Sequence, residues 1–126
     1  MPRSRASAKA AGSRFERVIA DWLRDRLNND YIDRRVKTGR NDRGDIGGVK
    51  AFRGARVVLE LKDYGGRLLP STWLTEAEIE AGNDDAPIGV VIAKRKGTTN
   101  PADQFCLMTV ETFARLLEGG PDELRF

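Results

Sequence analysis

Apolar side chains recur every three or four positions early in the chain. They are Phe15, Val18, Ile19, Trp22, Leu23 and Leu27. This spacing is typical of a helix with one apolar stripe facing a core. Ser13 and Glu16 have the spacing of a capping box, which predicts that the helix begins at Ser13. Asn28 and Asn29 are predicted to end it.

Shorter apolar runs follow, separated by polar or glycine-bearing segments. They predict strands over 31–37, 45–52, 55–64, 88–93 and 105–110, and helices over 71–81 and 111–118. The run 88–93 is apolar without interruption, which is typical of a strand buried on both faces. The dipeptide Arg53-Gly54 predicts a hairpin turn between the second and third strands. The order α-β-β-β-α-β-β-α predicts an α/β domain, with helices flanking a mixed central β-sheet.

The composition excludes several kinds of chemistry. The chain has 126 residues, no histidine and one cysteine. A histidine general base, a Ser-His-Asp triad, an internal disulfide and a cysteine-rich zinc site are therefore excluded. An enzyme of this composition depends on carboxylates, lysine, arginine and a hard metal such as Mg²⁺, which prefers oxygen ligands. No apolar run approaches the roughly 20 residues of a membrane span, so we expect no membrane partner. The lone Cys106 is consistent with a reducing cytoplasm, where we expect the protein to act.

The charge is distributed unevenly. The overall net charge of +3 combines a basic first third with an acidic remainder. Residues 1–40 carry 11 basic and 5 acidic residues, a net of +6, whereas residues 41–126 carry 11 and 14, a net of −3. This asymmetry favours an anionic partner such as nucleic acid, and a solvated basic tail is the alternative. We expect residues 1–12 to form a flexible basic arm and residues 13–126 a single domain.

Two acids and a lysine are predicted to meet on the hairpin. Alternation along a strand places Glu60 and Lys62 on one face. A turn centred on Arg53-Gly54 pairs Asp45 with Lys62, which brings the three side chains together. Two carboxylates can hold a divalent cation, and a neighbouring lysine can orient or deprotonate the attacking water or stabilise an anionic transition state. The alternative is a surface ion pair, which contributes little stability.

These residues resemble the signature of the PD-(D/E)XK nuclease superfamily. The resemblance rests on Gly44-Asp45 followed by Glu60-Leu61-Lys62, with glycine in place of the signature's proline. The stretch Gly12-Ser13-Arg14-Phe15-Glu16-Arg17 is similar to the opening helix of archaeal-type Holliday junction resolvases. The resemblance covers roughly residues 12–95. It implies a restriction-endonuclease-like core, a homodimer, and Mg²⁺-dependent cleavage of branched DNA, with Mn²⁺ as an expected substitute.

The resemblance also implies roles for particular residues. Asp45 and Glu60 match the metal-binding acids, and Lys62 matches the catalytic lysine. Glu16 matches a helix glutamate that completes the catalytic and metal site, although its capping-box position offers a purely structural alternative. The loop at Thr38 lies where the resolvases contact DNA, but its charged residues differ from their pattern.

Nine residues are candidate contacts to DNA. They are Arg17, Arg34, Arg35, Lys37, Thr38, Arg40, Arg43, Lys94 and Lys96. Phosphate contacts are expected from such side chains beside an active face, and a solvated basic rim is the alternative. The three glutamates of the second predicted helix, at 76, 78 and 80, are assigned to its solvent face, with an additional active-site acid as the alternative. Trp22 and Trp73 are assigned to a core or an interface because both lie on apolar helical stripes.

The function predicted from the sequence is a Holliday junction resolvase-like endonuclease acting on four-way or branched DNA, in a host cytoplasm if a phage encodes it. One alternative keeps the fold and changes the substrate, to a restriction-type, flap or nicking nuclease. Another belongs to a different class, a non-catalytic DNA-binding module.

Overall fold

Helices and strands alternate in the order that the sequence predicts. A computed structural model describes residues 3–36 and 43–119. Their elements are α1 (Arg5–Leu27), β1 (Asp33–Arg34), β2 (Ile46–Gly47), β3 (Val57–Lys62), α2 (Pro70–Asn83), β4 (Ile88–Ala93), a 3-10 turn (Pro101–Asp103), β5 (Phe105–Leu107) and α3 (Val110–Glu118). The predicted α/β class, with a mixed sheet flanked by helices, is confirmed.

The helix α1 begins eight residues before the predicted start, at Arg5 rather than Ser13. Its cap is Ser4, whose side chain accepts a hydrogen bond from the Ser7 N–H at 3.1 Å. The alanine-rich sequence of residues 5–12 favours continuation of the helix, so these residues form its first turns instead of an irregular arm. The predicted capping box is therefore wrong, because Ser13 lies inside the helix and Glu16 has no helix end to cap.

Five strands form one sheet in the order β1-β2-β3-β4-β5. The central pair, β3 and β4, is parallel and in register from Val57↔Ile88 to Lys62↔Ala93, and the other pairs are antiparallel. A parallel pair needs a crossover connection, which α2 supplies. Gly89 permits the close approach of this helix, because a Cβ there would lie 2.7 Å from the Ala77 carbonyl oxygen.

Helices cover both faces of the sheet. On one face, Phe15 and Ile19 of α1 belong to a buried cluster with Leu59 and Leu61 of β3. On the other face, a second cluster contains Trp73 and Ala77 of α2 with Val91 and Ala93 of β4. Since alternate residues of β3 point to opposite faces, Glu60 and Lys62 lie on the side covered by α2.

The hairpin register differs from the prediction by two residues. Ile46 pairs with Leu59, so the next position outward, Asp45, lies opposite Glu60 rather than Lys62. The strands also contain an extra residue near Gly48, since the Val57 N–H donates to the Val49 carbonyl oxygen at 2.9 Å. Such a β-bulge shifts the register locally, and Gly48 has the positive φ of +83° that glycine tolerates. A shift of two preserves the alternation of faces, so Asp45 remains beside Glu60.

Candidate functional site

The candidate site is built on β3, the central strand of the sheet. Glu60 is buried, with 8 % of its surface exposed, and its Oε1 lies 3.4 Å from the Nζ of Lys62. The same Nζ donates a hydrogen bond to Oε2 of Glu76 at 2.6 Å. Lys62 is thus held between a carboxylate of its own strand and a carboxylate of α2.

These contacts fix the charge of Lys62. Burial is the largest single influence and lowers its pKa, because desolvation disfavours the ammonium form. The hydrogen bond to Glu76 and the charges of Glu60 and Glu76 act in the opposite direction, and together they raise the pKa above its ordinary value. Lys62 therefore carries a positive charge at neutral pH and can donate hydrogen bonds to an anion.

Asp45 is held rigidly beside the same strand. Only 3 % of its surface is exposed, and its backbone N–H donates to the Leu59 carbonyl oxygen at 2.8 Å. Its Oδ2 accepts a hydrogen bond from the Leu61 N–H at 2.7 Å. The preceding residue must be glycine, because Gly44 has a φ of +91° and a Cβ there would lie 2.4 Å from Cγ1 of Val58. The Gly44-Asp45 pair is thereby explained by local packing.

Glu16 lies on α1 and faces β1. It is buried, with 9 % of its surface exposed, and Oε1 lies 3.2 Å from both Nε and Nη2 of Arg34. Within residues 3–36 and 43–119, no group of three or more acidic or cysteine side chains is arranged to hold a metal ion. The described structure thus brings Asp45 to the strand that carries Glu60, but it does not assemble Glu16 with them as a third ligand.

Asp45 and Glu60 fit a hard metal by the chemistry of their donors. Both are carboxylates, both are buried, and their strands place them at opposing register positions. Mg²⁺ is commonly bound in proteins by one or two carboxylates and completes its coordination with water and substrate oxygens. A site with two protein ligands is consistent with that pattern.

Several predicted DNA contacts are occupied within the protein. Arg17 forms ion pairs with Asp21 and Asp33 at 3.3 and 3.0 Å, and Arg34 binds Glu16. Lys94 donates to the carbonyl oxygens of Arg95 and Thr98. Lys96 and Arg43 are exposed. Lys37, Thr38 and Arg40 lie outside the described residues.

Arg35 has a structural role that the sequence did not predict. Its guanidinium lies 3.0 Å from the buried carboxylate of Asp84 at the end of α2, and its Nη1 donates to the Arg43 carbonyl oxygen at 2.9 Å. The backbone N–H of Arg35 donates to the Asp45 carbonyl oxygen at 2.9 Å. Arg35 therefore joins α2 to the segment that presents Asp45.

An Arg35→Ala substitution is expected to lower the free energy of unfolding by about 2–3 kcal/mol, since it removes charge-assisted hydrogen bonds to a buried carboxylate. Arg56, at 3.8 Å from Asp84, compensates only in part. Urea denaturation measures the loss, and Arg26→Ala, at an exposed arginine of α1, is the matched control with an expected loss below about 1 kcal/mol. Equal stabilities for the two variants would contradict this role.

Glu76 was assigned to the solvent face of its helix, with an additional active-site acid as the alternative. Its side chain is 44 % exposed, yet it makes the shortest ion pair to Lys62. The available signal was its position between Trp73 and Ala77, the buried residues of α2. A residue flanking a buried stripe lies at the boundary with the sheet, where its carboxylate can reach a strand residue.

Comparisons with known protein families, with curated proteins and with solved structures gave no match to this chain. In the described part of the chain, no helix combines the length and hydrophobicity needed to cross a membrane. The functional conclusion consequently depends on the site itself.

Proposed function

We propose that the protein is a metal-dependent endonuclease that hydrolyses phosphodiester bonds in DNA. The observation that carries this proposal is the placement of Asp45, Glu60 and Lys62 around one strand. Two buried carboxylates lie at opposing register positions, and a lysine ammonium lies 3.4 Å from one of them. A restriction-endonuclease-like core is part of the same proposal, supported by the mixed sheet and by the order of its elements.

In the proposed mechanism Asp45 and Glu60 would hold Mg²⁺. When bound, this ion supplies a water of lowered pKa and neutralises charge on the phosphate. Lys62 donates hydrogen bonds to a phosphate oxygen and stabilises the negative charge that develops as water attacks phosphorus and the bond to the leaving oxygen breaks. The attacking water loses its proton to solvent, and the leaving oxygen takes up a proton from solvent to become the hydroxyl end. Glu76 is a positioning residue, because its hydrogen bond to Nζ fixes where the ammonium points.

Glu16 enters the proposal only as an assisting acid. Arg34 binds Oε1 of its carboxylate at 3.2 Å, so this oxygen is already engaged within the protein. A Glu16→Gln variant is therefore expected to lose less activity than Asp45→Asn, which alters a proposed ligand directly.

The proposed substrate is branched DNA, with the four-way junction as the first candidate. This finer assignment depends on the resemblance of Gly44-Asp45, Glu60-Leu61-Lys62 and the α1 sequence to the junction resolvases. A two-fold dimer would present two such sites to symmetric strands of a junction. The dimer is therefore part of the proposal.

A substrate panel tests this function. The protein is incubated with four-way junction, flap, linear duplex and single-stranded DNA, each with Mg²⁺, Mn²⁺ or EDTA. We expect symmetric nicks near the junction crossover with either metal and no cleavage with EDTA. Cleavage of linear duplex at a fixed sequence would instead identify a restriction-type enzyme, and cleavage at flaps a flap nuclease.

A non-catalytic DNA-binding module is the second candidate. The observation that favours it is the lack of a group of three potential metal-binding acids within residues 3–36 and 43–119. Binding of DNA without cleavage in any condition of the panel would establish this alternative and exclude the nuclease.

A further inference from the structure

A groove lies between the first half of α1 and the end of β3. Its volume is about 650 Å³, within the roughly 300–1,000 Å³ typical of ligand sites. The lining includes Arg3, Ala8, Gly12, Lys62, Tyr64 and Arg67. Lys62 is the lining residue to which the sequence assigned a function, whereas Arg3 and Ala8 belong to the segment that was expected to form a flexible arm.

The groove contains part of the candidate active site. Lys62, whose side chain is 14 % exposed, lines it directly. On the α1 side the wall is shallow, because Ala8 and Gly12 are small and occur one helical turn apart. A Cβ placed on Gly12 would have no other atom within 4 Å, so this wall faces open space. The groove therefore extends to the end of β3, where Lys62 lies.

Cations stand at the rim of the groove. Arg3 is fixed there by Asp63, with its Nη1 donating to the Asp63 carbonyl oxygen at 3.0 Å and its Nη2 to Oδ1 at 3.1 Å. Arg67 is exposed on the loop after β3. Lys96, also exposed, lies beside that loop, since a Cβ on Gly66 would be 2.7 Å from the Lys96 Cβ. The charge of Asp63 partly offsets that of Arg3, whereas Arg67 and Lys96 form no ion pair within the described residues.

We propose that this groove binds the sugar-phosphate backbone of a DNA strand and leads it to Lys62. The proposal rests on the proposed nuclease function and specifies a path for its substrate. A polyanionic strand matches cations spaced along a groove better than a single small anion does, since each rim cation can neutralise a separate phosphate. Arg3 and Arg67 are assigned as phosphate contacts on either side of the groove.

Binding is measured in an Asp45→Asn background, by fluorescence anisotropy with a labelled four-way junction at about 50 mM and about 200 mM salt. Gly12→Glu places a carboxylate in the groove and is expected to weaken binding by about tenfold at the lower salt. Its matched control is Gly82→Glu, since Gly82 is also helical and also open to solvent but lies on α2. That control is expected to bind as the background protein does.

Arg67→Ala provides a second measurement that requires no bulky substitution. Loss of one phosphate contact is expected to reduce the slope of log K against log salt by about 0.9. Arg26→Ala removes the same charge from the far end of α1 and is expected to leave the slope unchanged. Circular dichroism establishes that each variant is folded.

These outcomes distinguish failure of the groove assignment from failure of the proposed nuclease function. If the wild-type protein cuts DNA while Gly12→Glu and Arg67→Ala bind as their controls do, the groove assignment is wrong and the nuclease stands. If no DNA is cut but both variants lose binding, the groove stands and the nuclease fails. A background protein that binds no DNA at the lower salt would overturn the groove directly.

Discussion

A Lys62→Ala variant is expected to cut a four-way junction about 10²–10³-fold more slowly than the wild-type protein while still binding it. The expected loss is large because the Lys62 ammonium lies 3.4 Å from Glu60, where the phosphate is proposed to react. Removing a preorganised donor of this kind costs the transition state more than the bound substrate. Single-turnover cleavage with Mg²⁺ measures the rate, and a gel-shift assay without metal measures binding.

The matched control is Lys50→Ala, at an exposed lysine near the hairpin turn. It removes the same side chain and charge, and we expect a cleavage rate within about twofold of wild type. Thermal unfolding of both variants separates a chemical loss from a loss of structure. Cleavage by Lys62→Ala at the wild-type rate would show that the site assignment is wrong.

A Trp73→Ala variant is expected to lose about 3–5 kcal/mol of unfolding free energy. Trp73 is 1 % exposed and joins α2 to β4 through the cluster with Val91 and Ala93. Its ring also meets that of Tyr64 edge-on, at a centroid distance of 5.0 Å. Such a loss is a large part of the roughly 5–15 kcal/mol that stabilises a typical domain.

Urea denaturation measures this effect, and Trp22→Ala is its control. Trp22 is only partly buried on α1 and lies beneath Arg26, at 5.9 Å from the guanidinium carbon to the ring centroid. Its removal is expected to cost about 1 kcal/mol. A larger loss for Trp22→Ala than for Trp73→Ala would contradict the assignment of the second core cluster to Trp73.

Strand β4 and helix α2 were predictable because their patterns leave few alternatives. The uninterrupted apolar run 88–93 coincides with Ile88–Ala93, and the predicted helix 71–81 lies within Pro70–Asn83. The prediction that Trp73 belongs to a core is confirmed as well. Such elements form because their apolar side chains are buried, and the spacing of apolar residues in the sequence shows this directly.

The predictions of the start of α1 and of the hairpin register were wrong, because in each case a local sequence signal pointed away from the observed structure. The capping pattern at Ser13 predicts that the first helix begins there, whereas the helix is capped by Ser4. An alanine-rich stretch can extend a helix well before such a pattern. The hairpin register depended on a bulge near Gly48, and one glycine in a strand does not fix where an extra residue lies. Local alternation was nevertheless sufficient to place Asp45 beside the strand of Glu60.

The partners of the charged residues could not be predicted from the sequence. Arg35 was named as a candidate DNA contact, and its guanidinium binds Asp84, which is 49 positions away in the chain. Glu76 was expected in solvent and instead binds Lys62, 14 positions away. A charge pattern records where polar residues occur, but the choice between solvent and an internal partner depends on the tertiary fold.

Glu60 and Lys62 lie on β3, so the candidate site depends on cooperative folding of the central sheet. This strand lies between β2 and β4, and its pairing from Val57↔Ile88 to Lys62↔Ala93 joins segments far apart in sequence. Amides of such a central strand are expected to exchange with solvent only when the whole domain opens. Asp45 and Glu76 therefore reach Glu60 and Lys62 only in the complete native state, and partly folded intermediates are expected to lack the proposed activity.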